Sequence, residues 1–303
     1  MADTRPGFLD FALLTLNGVI WGSSFTLIKV IVTDIPPLTM TLARVMLAGI
    51  VLGLLAVWAK QRWPGTRREW WWVFLAGLSG NVLPFSLIAW GEEVVDSGLA
   101  AILIAITPLV VLVLTHFLTM DERMNRFKVL GVALGFAGIV ALMGPAALAG
   151  LGHDLARQGA VALAAVCYAV NTLIVKRLSG GDHLAVTAAI MVASVVPLLP
   201  FALWLETPWR LDWPAGPTLA LVVLGVVHTG FATLLMFAVV RRAGAGFFSM
   251  INFLVPLFGY LFGVALLGEA VRPEALLALG LIFAGIGLTW RGARRLRTGG
   301  MSH

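Results

Sequence analysis

The sequence predicts an all-α polytopic membrane protein, in which ten transmembrane helices form a 5+5 inverted-topology repeat around a central cavity. The first observation is composition, since the 303 residues are 60% apolar and only 12% charged, with a mean hydropathy of +0.96. An ordinary globular domain carries about a quarter charged residues. The second is that apolar runs of about 20 residues recur along the chain, long enough to cross a bilayer core. The third is an internal repeat of about 150 residues.

The repeat is visible as matching stretches in the two halves of the chain. Pro108-Leu109 matches Pro256-Leu257 at a spacing of 148 residues. The tetrapeptide FAGI occurs at 136–139 and again at 283–286, a spacing of 147. Each copy has an apolar helix with a mid-span proline, a short turn with a glutamate (Glu122 or Glu269), and a second helix rich in glycine. A duplicated unit of this size predicts two structurally equivalent halves.

Ten spans are expected, and their ranges are 8–31, 38–58, 70–90, 95–118, 127–144, 155–176, 184–205, 215–240, 244–267 and 274–291. Five fall in the first half, residues 1–144, and five in the second, residues 155–303, with 145–154 as the linker. Because an odd number of spans precedes the second half, that half enters the membrane from the opposite side. Inverted repeats of this kind hold a substrate site near the midplane and suit alternating access. The predicted class of function is therefore a carrier.

The distribution of basic residues predicts the orientation. The N-terminus, the loops after even-numbered spans and the C-terminus carry 16 of the Lys and Arg residues, whereas the loops after odd-numbered spans carry 3. By the positive-inside rule, both termini are cytoplasmic. The net charge of +6 is explained by this bias, so the expected partner is the lipid bilayer and not a nucleic acid.

Several classes of protein are excluded by what the sequence lacks. Cys167 is the single cysteine, so neither a disulfide framework nor a cysteine-based metal site is expected. No GxSxG, HExxH or P-loop motif occurs, which argues against a membrane-embedded hydrolase, a metalloprotease and an ATP-driven pump. We therefore expect no enzymatic activity, no metal and no cofactor.

Polar side chains inside the spans are the candidate site residues, because a polar group in hydrocarbon is costly unless it is paired or faces a cavity. Asn17, Trp21 and Ser24 follow at i, i+4 and i+7 and share one face of the first span. Tyr168 and Asn171 share a face of the sixth span, the equivalent helix. The alternative for each is a bond to a neighbouring helix without contact to a substrate.

The spans after these contribute further candidates. The third offers Asn81, Ser86 and Trp90, and the eighth offers His228. In the ninth span, Asn252 and Tyr260 share a helical face with the proline. A lone histidine in a membrane helix is commonly a satisfied structural group, so both readings of His228 stay open.

The two repeated prolines and one arginine carry a separate expectation. Pro108 and Pro256 break the hydrogen-bond ladder in mid-span and release the carbonyls of Ile104 and Asn252. These carbonyls could receive a substrate ammonium group or let the helix bend; the alternative is a static kink. Arg44 lies about two turns into the second span, where it either snorkels or attracts a substrate carboxylate.

The carboxylates suggest how transport is driven. All fifteen lie at span ends or in loops. A proton relay or sodium site built on a buried carboxylate is therefore not expected, and uniport along the solute gradient fits better. Proton exchange through His228 is the alternative.

The chain also resembles a known family. WGSSF at 21–25, the proline-bearing spans 4 and 9, LGEAVRPEALLALGLIFAGIGL at 267–288 and the 5+5 repeat resemble EamA-type members of the drug/metabolite transporter superfamily. The overall pattern is most similar to YddG-type aromatic amino-acid exporters of the bacterial inner membrane. The resemblance implies that spans 1, 3, 4, 6, 8 and 9 line a central cavity. Carried over by position, the lining includes Asn17, Trp21, Asn81, Trp90, Tyr168, His228 and Asn252.

The expected function is export of amino acids, aromatic and apolar ones included, and related small metabolites across the bacterial inner membrane. A monomer or a loosely associated homodimer is expected. The alternative is efflux of drugs, lipophilic cations or other metabolites, with proton coupling through His228. A mid-span carboxylate would be expected in a cation site, and the sequence has none.

Overall fold

The computed structural model describes residues 7–118, 125–149, 151–175, 177–178, 182–243, 245–248, 250–267, 277–278, 280–285 and 287–288. Every regular element in these ranges is helical. The elements of the first half are α1 (Phe8–Ile31), α2 (Pro37–Trp58), α3 (Arg67–Gly77), the π-helical stretch π1 (Leu78–Val82), α4 (Leu83–Glu92), α5 (Ser97–Ile104), α6 (Thr107–Leu118) and α7 (Arg126–Ala149).

The second half repeats this order. Its elements are α8 (Leu155–Val175), α9 (His183–Phe201), π2 (Ala202–Glu206), a 3₁₀ turn (Pro208–Arg210), α10 (Ala215–Val223), π3 (Leu224–Phe231), α11 (Ala232–Ala243), α12 (Ala245–Phe248) and α13 (Ile251–Leu267). The described residues between 277 and 288 are helical as well. The expected tenth span, 274–291, falls only partly within the described residues, and the matched Glu122 and Glu269 lie outside them.

Six helical rods in the described chain are long and apolar enough to cross a membrane. Their bounds are Phe8–Ile31, Pro37–Trp58, Arg67–Glu92, Leu155–Val175, His183–Glu206 and Ala215–Val239. The third, fifth and sixth of these run through π-helical stretches without a break in the rod. The protein is therefore an all-helical membrane protein.

Two boundaries differ from the sequence prediction. The expected fourth span, 95–118, is divided into α5 and α6 by a turn at residues 105–106. Pro108 is the second residue of α6, where its missing N–H costs no helical hydrogen bond, so the chain starts a new helix there. In addition, α7 continues to Ala149, so part of the expected linker 145–154 is helical.

One end of the helix bundle is defined by contacts between the two halves. Arg242 at the end of α11 pairs with Asp10 at the start of α1, with 2.5 Å between Nε and Oδ1. The backbone N–H of Asp182, just before α9, donates to the carbonyl of Arg62, just after α2, at 2.8 Å. Thus α1 begins, α2 ends, α9 begins and α11 ends at the same end of the bundle.

The opposite end is defined in the same way. Lys29 near the end of α1 donates to the carbonyl of Glu92, the last residue of α4, at 2.6 Å. Arg157 in the first turn of α8 pairs with Glu93. Glu206, the last residue of π2, accepts hydrogen bonds from the first backbone N–H groups of α2. The end of α1 and the beginning of α8 therefore lie at the same end of the bundle.

The two halves pack directly against each other. Helix α2 packs along α9, and Val45 and Leu52 are fully buried in the resulting core with Ala185 and Ala188. Helix α1 packs along α13, where a Cβ at Gly22 would lie 2.7 Å from the Cβ of Phe258. Only glycine permits this separation, so the contact between α1 and α13 depends on it. The hydrophobic core is thus shared between the halves.

Candidate functional site

A group of polar side chains joins α1 to π3, and we call Asn17, Trp21, Ser23 and His228 the His228 cluster. The indole Nε1 of Trp21 donates to the backbone carbonyl of His228 at 2.9 Å. The side-chain amide of Asn17 donates to the carbonyl of Ala232 at 3.0 Å. The hydroxyl of Ser23 lies 2.9 Å from Nε2 of His228. These contacts connect the first half of the chain to the second.

The π-helical geometry explains why a carbonyl of π3 is open to the indole. In an α-helix, the carbonyl of His228 would accept from the N–H of Ala232. Here the N–H of Ala232 reaches the carbonyls of Thr229 and Val227 instead. The wider turn of a π-helix displaces the ladder in this way, and such stretches are frequent at functional sites. The carbonyl of His228 consequently accepts from a side chain of α1.

A second group surrounds a buried cation, and we call Arg44, Phe85 and Thr229 the Arg44 cluster. Arg44 is 5% exposed, and its Nε donates to the hydroxyl oxygen of Thr229 at 2.6 Å. Its Cζ lies 3.8 Å from the centre of the Phe85 ring. Tyr168 and His228 are close enough to Arg44 to interact with it electrostatically. In the described part of the chain, no carboxylate lies within ion-pair distance of this guanidinium group.

A third group joins π1 to α9, and we call Asn81, Met191 and Ser194 the Asn81 cluster. The side-chain amide of Asn81 donates to the hydroxyl of Ser194 at 3.1 Å and lies 3.6 Å from the sulfur of Met191. Next to it, Ser79 donates to Oδ1 of Asn171 in α8 at 3.2 Å. A Cβ at Gly80 would lie 2.6 Å from Nδ2 of Asn171, so glycine is required for this approach.

The Arg44 and Asn81 clusters lie at equivalent helix contacts. One cluster joins α2 to the π-helical stretch of the second half, and the other joins α9, the helix equivalent to α2, to that of the first half. The two contacts differ in charge, because α2 contributes an arginine and α9 contributes Met191 and Ser194.

Some candidates from the sequence are not brought to these clusters. Trp90 is 38% exposed, and the guanidinium of Arg157 lies 4.3 Å from its ring centre at one end of the bundle. The hydroxyl of Ser24 donates to the carbonyl of Trp21 in its own helix at 2.6 Å. Asn252 is half-buried in the first turn of α13. The side chain of Tyr260 lies outside the described residues.

Ser86 lies in a separate place. It lines an apolar pocket of about 290 Å³ between the start of α2, the third rod and α9. Its hydroxyl is buried and has no partner in the part of the chain that the structure describes. The other lining residues are Leu38, Leu78, Val82, Leu83, Leu87, Pro197, Leu198 and Phe201, and all are apolar.

The carbonyl of Ile104, which Pro108 leaves without a backbone donor, is bonded to a side chain in the structure. The hydroxyl of Thr107 donates to the carbonyl of Ile104 at 2.6 Å, so this acceptor is occupied. A threonine directly before the proline can fold back over the last turn of α5 in this way. Pro256, by contrast, lies inside α13, which continues past it.

Ser23 and Phe85 contribute to the clusters although the sequence analysis did not single them out. Ser23 stands in the WGSSF stretch, but the i, i+4, i+7 pattern favoured its neighbour Ser24. No feature of the sequence pointed to Phe85, because a phenylalanine in an apolar span is expected to serve only in packing. The burial of Asp10 and Glu92, at 5% and 0% exposure, was not predicted from their places at span ends either.

Membrane-crossing helices that enclose buried polar groups at the contact between two similar halves define a transporter of small molecules. The comparisons agree with this class. The EamA-like transporter family matches the chain twice, over residues 11–144 and 159–291, and the chain belongs to this family. Members of the family are transporters and not enzymes.

Individual relatives are similar over nearly the whole chain. An uncharacterized transporter, YoaV of Bacillus subtilis, is 25% identical over 269 residues, which covers 88% of this chain and 92% of YoaV. An S-adenosylmethionine/S-adenosylhomocysteine transporter of Chlamydia muridarum is 27% identical over 294 residues, covering 92% and 90%. A solved crystal structure superposes with a TM-score of 0.73 at 22% identity, covering 94% of this chain and 97% of that one. This last likeness concerns the fold alone.

Proposed function

We propose that the protein exports amino acids, aromatic and apolar ones included, and related small metabolites from the bacterial cytoplasm by alternating access. The observation that carries the proposal is the Arg44 cluster, a buried cation at the contact between the halves. The aromatic ring of Phe85 lies beside this cation, at 3.8 Å from Cζ. A charged group next to aromatic faces suits a ligand with a polar head and an apolar side chain.

The proposed architecture has ten spans arranged as inverted repeats. The contacts at the bundle ends support it, since α8 begins where α1 ends, although the two are equivalent in the repeat. The bias of Lys and Arg residues supports a cytoplasmic position for both termini. Bacterial relatives such as YoaV support the inner membrane as the location. A monomer or a loose homodimer remains the proposed assembly state.

A second substrate class is favoured by the relatives. The transporter of Chlamydia muridarum carries S-adenosylmethionine and S-adenosylhomocysteine by name. Both compounds contain the amino and carboxylate groups of an amino acid, so the same polar contacts would serve either class. Efflux of lipophilic cations fits less well, because the buried guanidinium of Arg44 repels them.

Uniport is proposed over proton coupling. Nδ1 of His228 lies 3.2 Å from the carbonyl of Val223, and Nε2 lies 2.9 Å from the hydroxyl of Ser23. The hydroxyl of Ser23 lies 2.9 Å from both the carbonyl of Ile20 and Nε2 of His228. A neutral imidazole with Nδ1–H as a donor satisfies both ring contacts when the single hydroxyl proton of Ser23 turns to Nε2.

The test is counterflow in proteoliposomes with labelled amino acids and labelled S-adenosylmethionine. We expect exchange of aromatic and apolar amino acids, and we expect that an imposed pH gradient does not drive accumulation. Absence of exchange across the common amino acids would overturn the proposed substrate. Accumulation driven by the gradient and abolished in His228→Ala would overturn uniport and make His228 a proton carrier.

A further inference from the structure

We infer that Arg44 is the anchor for a carboxylate of the substrate, and that this carrier therefore selects molecules with an anionic group. The inference rests on the proposed transport of amino acids and names the chemical group that the same site recognises. It is carried by the geometry around the guanidinium group, by the absence of a protein counter-charge in the described residues, and by the neutral side chains that make the equivalent helix contact in the other half.

The guanidinium group of Arg44 is held on two sides. Its Nε donates to Thr229, whose hydroxyl in turn donates to the carbonyl of Leu224 at 2.9 Å. The hydroxyl proton is thereby committed to the π-helical backbone, and the oxygen is fixed as an acceptor. Cζ of Arg44 lies over the ring of Phe85, 3.8 Å from its centre. The hydrogen bond and the ring contact together hold the position of the group.

The edge formed by Nη1 and Nη2 is the part of Arg44 that remains for a ligand. These two nitrogens donate to no residue in the described ranges. Two parallel N–H donors in one plane match the two oxygens of a carboxylate, which is the strongest pairing an arginine makes. A carboxylate of the substrate would also supply the counter-charge that a buried cation requires.

Other charged groups of the bundle have oppositely charged or carbonyl partners in the protein, which Arg44 lacks among the described residues. Asp10 is paired with Arg242, and Arg157 is paired with Glu93. Lys29 donates to two backbone carbonyls at the end of α4. Each of these groups is neutralised or solvated by protein atoms at an end of the bundle. Arg44 lies about two turns inside, and its partners are a hydroxyl and an aromatic ring.

The repeat provides an internal comparison. The helix equivalent to α2 is α9, and it meets π1 through neutral side chains: Met191 and Ser194 lie 3.6 Å and 3.1 Å from Nδ2 of Asn81. The same helix contact is therefore made in the other half by a neutral side chain. A cation is not required for packing at this place in the fold, so its presence in one half points to a ligand. The comparison also predicts one carboxylate anchor per chain.

The test compares acids with the matching amides. Phenylalanine and phenylalaninamide, and phenylacetate and phenylacetamide, are titrated into the purified full chain with tryptophan fluorescence as the readout. The variants are Arg44→Gln, Arg44→Lys and, as a matched loss of one positive charge, Arg67→Gln. Arg67 is exposed at the start of α3 and contacts no cluster. The same pairs serve as competitors in counterflow.

The wild-type protein and Arg67→Gln are expected to bind each acid roughly tenfold or more tightly than its amide, as a charge-assisted bidentate pair predicts. In Arg44→Gln the affinity for the acid falls to that of the amide, while the affinity for the amide changes less than about twofold. Arg44→Lys keeps the charge without the planar fork, so it retains only part of the preference.

Equal binding of acids and amides by the wild-type protein would overturn the inference, and so would an undiminished preference in Arg44→Gln. If Arg44→Gln does not fold, Thr229→Val provides the second variant. It releases Nε, and an unchanged preference for acids in it would count against the anchor. Preference for phenylacetate without transport of any amino acid would refute the proposed function and leave the anchor standing. Transport of amino acids without a preference for acids over amides would refute the carboxylate anchor and leave the proposed function standing.

Discussion

Trp21 is a predicted cavity-lining residue whose polar atom makes a contact between the two halves. Its ring is half-buried, and its only polar atom donates to the carbonyl of His228. The amide of Asn17 is used in the same manner on Ala232. Trp21 therefore ties α1 to the π-helical stretch of the second half, and Asn17 ties it to the first residue of α11. The indole N–H of Trp21 is occupied by this contact, whereas the buried Oδ1 of Asn17 has no partner in the described part of the chain.

Replacing Trp21 with phenylalanine is expected to lower the stability of the folded protein. The change removes the N–H donor and leaves a buried carbonyl without its partner, which costs about 1–3 kcal/mol. The measurement is the unfolding midpoint in detergent. Trp204→Phe is the control, since Trp204 is 78% exposed and its loss should leave the midpoint nearly unchanged. An unchanged midpoint in Trp21→Phe, with a raised apparent KM for transport, would show that the indole serves the substrate instead.

The π-helical stretches π1 and π3 are the elements that position the site. Residues 78–82, shifted by the repeat spacing of 147 or 148, fall within 225–230, inside Leu224–Phe231. Both stretches pack against a helix of the opposite half; π1 holds Asn81 and π3 holds His228. In both stretches the backbone hydrogen bonds depart from the α-helical pattern. Main-chain groups there can therefore bond to side chains of another helix.

Substitution of Gly80 in π1 tests the approach of α8. In Gly80→Ala the new Cβ would lie 2.6 Å from Nδ2 and 2.9 Å from Cγ of Asn171. The amide must move and give up its bond from Ser79, so we expect a loss of roughly 1–3 kcal/mol, typical of overpacking. Thermal unfolding of the purified protein measures it.

The control and the rescue for this substitution come from the same chain. Gly53→Ala in α2 should be neutral or slightly stabilising, because no atom lies within 4 Å of the added Cβ. Asn171→Ala should remove most of the cost of Gly80→Ala, which a double-mutant cycle measures as coupling. Strictly additive effects would mean that the two residues do not meet.

How far the sequence predicted these elements depends on the kind of signal. Hydrophobic length predicted the long rods, and their observed bounds lie within a few residues of the expected ones. The repeat predicted that Asn81 and His228 belong to equivalent helices. The sequence did not predict that both stand in π-helical stretches, because an extra residue in a turn leaves no mark in composition. It also did not predict Thr107 as the partner of the Ile104 carbonyl, since that depends on one rotamer.

The candidate site was predicted in its residue types more than in its contacts. Arg44 was identified because a charge in an apolar span is conspicuous, and Asn17, Trp21 and His228 because they are polar in mid-span. Their partners are separated from them by up to 215 residues, as for Asn17 and Ala232. Such pairings follow from how helices rotate about their axes in the bundle. A pattern with a period of 3.6 residues indicates a face but not the helix that meets it.

At the scale of the whole molecule, ion pairs between the halves lie at both ends of the bundle in the described part of the chain. Asp10 pairs with Arg242 at one end, where the more exposed Arg62 also pairs with Asp182, and Arg157 pairs with Glu93 at the other end. The pairs of Asp10 and Arg157 each connect the first helix of one half to the other half. Opening either end would separate the pairs at that end and leave those at the other end intact.

Loss of one pair is expected to favour the state that is open at that end. Asp10→Asn weakens closure at the end where the chain begins, and Glu93→Gln weakens closure at the opposite end. A partly exposed pair contributes about 1 kcal/mol at most, so the population of the open state should change by up to about fivefold. The readout is labelling of Val227→Cys, in a chain with Cys167→Ser, by an impermeant maleimide applied from either side of oriented vesicles.

The two variants should shift this labelling in opposite directions. Asp10→Asn should accelerate labelling from the side of Asp10, which the basic-residue bias makes cytoplasmic, and slow it from the other side. Glu93→Gln should do the reverse. The exchanged pair, Asp10→Arg with Arg242→Asp, restores the attraction and should return the rates towards those of the parent. If both single variants accelerated labelling from the same side, the ion pairs would stabilise the fold in general. The result would contradict the prediction that each end of the bundle is closed by its own pair.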